Sequence, residues 1–209
     1  LLGVSYGEFI KTNIYAQEIG TFTPGDFEFV TGYSRRVGKY SSIGVNVKFI
    51  YSFADTFSAS AFALDVGFSK RLRRKRTQFA VVVENLGFML STYGDEKAEL
   101  PLCLKVGGWT DLPEFPGALN AQLELSKDNG FRFGSLALSP KIGLDIEPVK
   151  NVEILIAYTL KPTKGNSSSL LGLSGGVVVD LKNVSFEYGI QHTGKLGLVN
   201  RFTLNYRGI

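Results

Sequence analysis

The sequence predicts an all-β chain, a transmembrane antiparallel up-and-down β-barrel with its apolar face turned to lipid. Three observations carry this. Apolar and polar residues alternate at period two almost everywhere, short turns alternate with longer loops, and charge is confined to one of the two faces. Composition agrees: 209 residues include 24 glycines, 7 prolines and 12% aromatics, with 44% hydrophobic and 20% charged. Such a chain is too apolar for a disordered tail. Yet no run approaches the roughly 18 to 20 uncharged apolar residues of a membrane-spanning helix.

Taken in order, about a dozen segments of roughly 8 to 12 residues start near Leu2, Asp26, Ser41, Ala59, Thr77, Pro101, Ala118, Ser135, Val152, Leu170, Val184 and Leu198. From Ser42, the residues Ile43, Val45, Val47, Phe49 and Tyr51 oppose Ser42, Gly44, Asn46 and Lys48. Next, Phe62, Leu64, Val66 and Phe68 oppose Ala61, Ala63, Asp65 and Gly67. Leu119, Ala121, Leu123 and Leu125 oppose Asn120, Gln122, Glu124 and Ser126, and Ile142, Leu144 and Ile146 oppose Lys141, Gly143 and Asp145. The last two segments repeat the split, with Val184, Phe186, Tyr188 and Ile190 and then Phe202, Leu204 and Tyr206 on the apolar side. Glycines within these runs, such as Gly44, Gly67, Gly172 and Gly176, relieve crowding or allow bending in a curved sheet.

The connections alternate in length. The long ones include Lys11 to Pro24, Gly87 to Leu100 and Lys161 to Ser169; the tightest lie around Pro148 and Lys182. A meander whose two ends face different compartments has this form, whereas Greek-key connections mix lengths. The charged residues Glu28, Lys48, Asp65, Glu84, Lys105, Glu124, Lys141, Asp145, Glu153, Asp180, Glu187 and Arg201 all fall on the face opposite the large apolar side chains. In water that apolar face would point inward, and a barrel this wide would enclose more volume than its side chains fill. Facing lipid, it avoids the roughly 2 to 4 kcal/mol that a cation costs at the bilayer midplane. Tyr33, Tyr51, Phe68, Trp109, Tyr158 and Tyr206 sit near strand ends, where interfacial girdles form. A large soluble β protein, such as a lipocalin-like barrel, is the competing fold.

The chemistry on offer is sparse. One Cys and one His leave too few ligands for a zinc site and exclude an intrachain disulfide. His192 reads as an exposed loop residue in QHTGKLG, and Cys103 as a small residue facing inward, with no catalytic partner for either. No phosphate-binding loop, cofactor or metal site is expected, and the chain reads as non-enzymatic. The net charge of +4 rests largely on the turn KRLRRKR, with Lys70, Arg71, Arg73, Arg74, Lys75 and Arg76. Two roles compete for it: a solvated turn that blocks edge pairing, or a basic anchor on anionic headgroups at a membrane surface. Nucleic acid is disfavoured because no aromatic is interleaved for stacking. Pairing about Gly38 would set Glu28 against Lys48 as an ion pair inside the barrel, which fits a crosslinked interior better than a one-signed selectivity ring.

The order GTFTPGDFEF, GVNVKFIYS, ALDVGFSKRL and VVENLGFMLSTYGDEKAELPLCLKVG resembles the PorV/PorQ family of outer-membrane barrels, relatives of the FadL long-chain fatty-acid transporters. Its most specific piece is the Asn85-Leu86-Gly87 turn followed by a long loop and Leu100-Pro101-Leu102, and the stretch TYGDEKAELP looks more like PorQ. HTGKLGLVNRFTLNYR resembles the family's last hairpin, although the sequence ends in Arg207-Gly208-Ile209 where such barrels carry an aromatic. The resemblance implies a bacterial outer-membrane barrel of about fourteen strands, of which residues 1–209 form a single domain lacking two N-terminal strands and the plug. It also implies work as a membrane anchor in a type IX secretion and cell-surface attachment complex, with PorU, PorV and PorZ-like proteins docking on the extracellular loops. A FadL-like channel for hydrophobic small molecules is the alternative.

Overall fold

The computed structural model describes residues 1–72, 76–93, 99–126, 131–133, 136–160, 172–193 and 197–206. Among these residues all regular structure is β. The strands are β1 (Leu2–Ser5), β2 (Phe9–Thr12), β3 (Glu18–Phe22), β4 (Gly25–Arg36), β5 (Ser41–Ala54), β6 (Phe57–Leu72), β7 (Thr77–Ser91), β8 (Cys103–Asp111), β9 (Gly117–Ser126), β10 (Phe131–Phe133), β11 (Leu136–Val149), β12 (Val152–Thr159), β13 (Leu173–Leu181), β14 (Val184–His192) and β15 (Leu198–Tyr206). Twelve of them follow one path, β1-β4-β5-β6-β7-β8-β9-β11-β12-β13-β14-β15, with β10 added on β11 and β2–β3 forming a separate hairpin. The path is open: among the described residues no ladder joins β1 to β15. The twelve path strands coincide with the twelve expected segments.

Contacts group the chain into two compact units, one of residues 1–38, 42–68 and 82–102, the other of 39–41, 69–81 and 103–209. In the first unit, β4 and β5 pair from Gly25↔Phe53 to Arg36↔Ser42. This ladder turns about Lys39, one residue later than the expected centre at Gly38. The segment from Lys11 to Pro24, expected as a loop, holds most of the β2–β3 hairpin. Its turn is fixed by Asn13, whose Oδ1 accepts from the backbone N–H groups of Tyr15 and Gln17 at 2.9 and 3.0 Å.

Strand β7 departs most from expectation. Asn85, Leu86 and Gly87 form no turn; they lie inside the strand, and the long connection starts only after Ser91. Asn85 takes a left-handed φ of 61°. Before it the exposed large apolar residues are Phe79 and Val81; after it they are Leu86, Phe88 and Leu90, of opposite parity. One extra residue therefore sits at this point, and both Glu84 and Asn85 fall on the less exposed face, as in a β-bulge. Gly87 is required there, because a Cβ would lie 2.0 Å from the Phe62 carbonyl oxygen.

In the second unit antiparallel ladders follow one another from β8–β9 to β14–β15, with one register shift in the β11–β12 pair between Ile146 and Val149. Strand β11 continues past Pro148, so the tight turn is Lys150-Asn151, with Asn151 at φ 72°. The other expected tight turn, at Lys182, is present, with Lys182 at φ 47° between the paired residues Leu181 and Val184. His192 is the last residue of β14 and half-buried, so it does not belong to an exposed loop. The expected Lys161 to Ser169 loop lies outside the described residues.

The two faces of the sheet have inverted polarity. Phe186, in mid-strand, is 51% exposed, and Phe29, Phe49, Val66, Phe88, Ile156 and Leu204 are exposed likewise. The buried residues are small or polar: Ala59, Ala61, Ala63, Asp65, Cys103, Ser126, Ser139, Thr159 and Ser185. Among the described residues no large side chain is fully buried. Hydrophobic area is thus not gathered into a core, which is the reverse of a water-soluble sheet protein.

Candidate functional site

The less exposed face carries the charges, and the ladders decide which of them meet. In the first unit the centre is Asp65 on β6, 6% exposed. Its carboxylate accepts from Lys48 Nζ at 2.9 Å, from the Asn85 backbone N–H at 3.0 Å and from Asn46 Nδ2 at 3.4 Å. Lys48 also donates to Asn85 Oδ1 at 3.2 Å, and Asn85 Nδ2 donates to the Pro101 carbonyl at 3.0 Å. The left-handed residue of the bulge is therefore held on three sides, and its turned N–H group is the one that reaches Asp65.

The expected Glu28–Lys48 pair does not form. With the ladder centred on Lys39, Glu28 stands opposite Ile50 and Val30 opposite Lys48, so the two charges are diagonal neighbours. Lys48 turns instead to the next strand and Asp65. A signal was present in the sequence, since Asp65 shares the polar parity of β6 and lies on the strand hydrogen-bonded to β5.

In the second unit, Lys105 stands opposite Glu124, and Lys141 pairs with Glu124 at 2.5 Å. Charges of opposite sign thus alternate across β8, β9 and β11. Asn120 donates to Asp145 at 2.9 Å, and Asn205 donates to Glu187 at 2.6 Å and to Ser185 at 3.2 Å. The result is a crosslinked polar surface without a single sign of charge.

Trp109 belongs to this polar face and not to an outward girdle: it shares the parity of Lys105 and stands opposite Asn120. Its ring lies 5.9 Å from the Arg71 guanidinium. Trp109, Phe115, Arg76, Asp145 and Glu153 line a cleft of about 420 Å³. Tyr33, Tyr51, Phe68, Tyr158 and Tyr206 lie exposed on the apolar face.

Of the basic turn, Lys70 and Arg71 lie at the end of β6, and Arg76 precedes β7 with its guanidinium 3.5 Å from Asp111. Arg73, Arg74 and Lys75 lie outside the described residues. Among the described residues no three His, Cys, Asp or Glu side chains come together as a metal site. Nor is any helix there long and apolar enough to cross a membrane.

No protein-family model matches this chain, and no curated protein matches it.

Proposed function

We propose that this chain is a non-enzymatic bacterial outer-membrane β-barrel acting as a membrane anchor and docking component of a type IX secretion and cell-surface attachment complex. The observation that carries the membrane half is the inverted polarity, with large apolar side chains exposed along the strands and Asp65, Ser126, Ser139, Thr159 and Ser185 buried. In water such a surface would associate without limit; in lipid it meets a solvent as apolar as itself.

The docking half draws on the PorV/PorQ resemblance together with the polar face. Cross-strand ties such as Lys48–Asp65 and Lys141–Glu124 favour a braced interior over an apolar conduit, which sets the FadL-like channel second. The extracellular loops would meet PorU, PorV and PorZ-like partners.

Two experiments test the two halves. Val66→Arg and Phe186→Arg place a cation on the apolar face; each should cost about 2 to 4 kcal/mol of folding stability in lipid vesicles. If both variants are instead as stable as the parent and dissolve more readily without detergent, the apolar face does not meet lipid. For docking, the native protein is captured from gently solubilised outer membrane. Recovery with surface-attachment partners supports the anchor, and consistent recovery alone refutes it.

A further inference from the structure

The cleft beside Trp109 is built wholly within the second unit, on its polar face. Trp109 and Asp111 come from the end of β8, Phe115 from the turn after it, Asp145 and Glu147 from β11, and Glu153 from β12. Backbone bonds fix these elements to one another. The Glu147 N–H donates to the Pro116 carbonyl at 2.8 Å, the Leu112 N–H to the Gly117 carbonyl at 3.0 Å and the Asp111 N–H to the Arg76 carbonyl at 3.2 Å. The cleft is therefore formed by the fold itself, and its volume of about 420 Å³ falls in the range of small-molecule sites.

Its lining joins aromatic and apolar surface to negative charge. Phe115, Pro116 and Ile146 lie beside the Trp109 ring, and Asp145, Glu147 and Glu153 complete the wall. Among the described residues Asp111 is ion-paired with Arg76, whereas Asp145, Glu147 and Glu153 enter no ion pair. Asp145 accepts one hydrogen bond from Asn120, and the Glu153 carboxylate feels the negative charge of Asp145, Glu147, Asp180 and Glu187. Holding like charges together opposes folding, and a bound cation offsets that repulsion. A small metal ion does not suit the cleft, because no three of its carboxylates converge as a metal site. A planar guanidinium spreads its donors over a wider arc and stacks on aromatic rings. The chain's own side chains already make both contacts there: the Arg71 guanidinium lies 5.9 Å from the Trp109 ring, and that of Arg76 lies 3.5 Å from Asp111.

We propose that this cleft binds an alkylguanidinium group, the chemistry shared by an arginine side chain and a small free guanidine. The guanidinium meets Asp145, Glu147 and Glu153, and its alkyl stem lies along Phe115, Pro116 and Ile146. This site goes beyond the anchor reading and does not depend on which solvent covers the opposite, apolar face.

Trp109 is the one tryptophan of the chain, so its emission reports on the cleft directly. The full chain, folded in detergent micelles, is titrated with butylguanidinium at constant ionic strength, and with butylurea as the uncharged counterpart of the same shape. We expect a saturable change with a Kd of about 1 mM, the affinity open to a ligand of that size, and binding of butylurea at least about tenfold weaker. Glu147 and Glu153 are exposed, so glutamine at both should leave the far-ultraviolet β signal unchanged. E147Q/E153Q should weaken butylguanidinium roughly tenfold and E153Q alone about threefold, the single variant guarding against a folding defect in the pair. Glu28→Gln, on the polar face of the other unit, should keep the parent's Kd. The lack of a saturable response in the parent, equal binding of butylurea, or an unchanged Kd in both cleft variants overturns the proposal. A capped peptide with one central arginine then separates the two sources. Tighter binding than butylguanidinium assigns the group to a polypeptide and binding no tighter assigns it to a free guanidine, and either result upholds the site.

Discussion

Removing the Asp65 carboxylate should be the most damaging single change on the polar face. Asp65→Ala takes three hydrogen bonds from the cluster and leaves Lys48 Nζ, on a side chain only 14% exposed, with Asn85 Oδ1 as its remaining neighbour among those described above. Breaking a buried ion pair on one side costs about 3 to 5 kcal/mol. The surviving amide contact puts this part near 3, and the unpaired Asn85 N–H adds about 1, giving a loss of about 4 kcal/mol. Lys48→Met leaves Asp65 with two neutral donors and should cost about 2 kcal/mol. In the double variant K48M/D65A no charge remains unpaired, so the loss should be about 3 kcal/mol, well under the sum of the singles. Urea titration of the chain folded in detergent micelles, followed by the far-ultraviolet β signal, measures all three. The reasoning is refuted if Asp65→Ala lies within about 0.5 kcal/mol of the parent, or if the double variant equals the sum of the singles.

Other consequences are smaller in scope. Gly87→Ala drives a Cβ against the Phe62 carbonyl and should lose about 3 kcal/mol, whereas Gly44→Ala, with its nearest neighbour at 3.6 Å, should leave the urea midpoint almost unmoved. Asn205→Ala removes the ties from β15 to Glu187 and Ser185 and should cost about 1 to 2 kcal/mol, seen first as faster amide exchange in β15. Tyr6, in the connection after β1, donates its hydroxyl to Asp26 at 2.5 Å, and that bond raises its pKa above the ordinary phenol value. The neutral form is the one favoured on folding, so its contribution is full below the ordinary value and is lost as pH rises through the raised one. Difference absorbance of the parent against Tyr6→Phe should place this titration above the ordinary phenol value, and Asp26→Asn should lower it; no change on Asp26→Asn would sink the assignment.

The strands were legible because a half-exposed sheet writes its faces into alternate residues, and all twelve segments on the main path could be read that way. Interruptions were not legible. Asn85-Leu86-Gly87 carries the composition of a turn, and only the change of parity from Phe79 and Val81 to Leu86 and Phe88 reveals an inserted residue within a continuing strand. The β2–β3 hairpin carries no alternating signal, because Lys11 to Glu18 is mostly polar and its turn is built by Asn13. For the polar face, the sequence identified the charged set but not its pairs. An error of one residue in the centre of the β4–β5 turn was enough to assign Lys48 to Glu28 in place of Asp65. Trp109 lies near a strand end, which suggests a girdle, yet it shares the parity of Lys105, and parity alone decides the face.

The absence of any large, fully buried side chain among the described residues bears on the heat of unfolding. A water-soluble domain takes up about 12 to 15 cal/mol/K per residue on unfolding, chiefly because apolar groups pass from a packed interior into water. Here Phe186, Phe88, Leu204 and their neighbours are already uncovered by the protein in the folded chain. Calorimetry of the chain in detergent, where those side chains keep an apolar surround before and after unfolding, should therefore find a heat-capacity increment per residue well below that range. Its stability curve should be correspondingly flat, with little tendency to unfold on cooling.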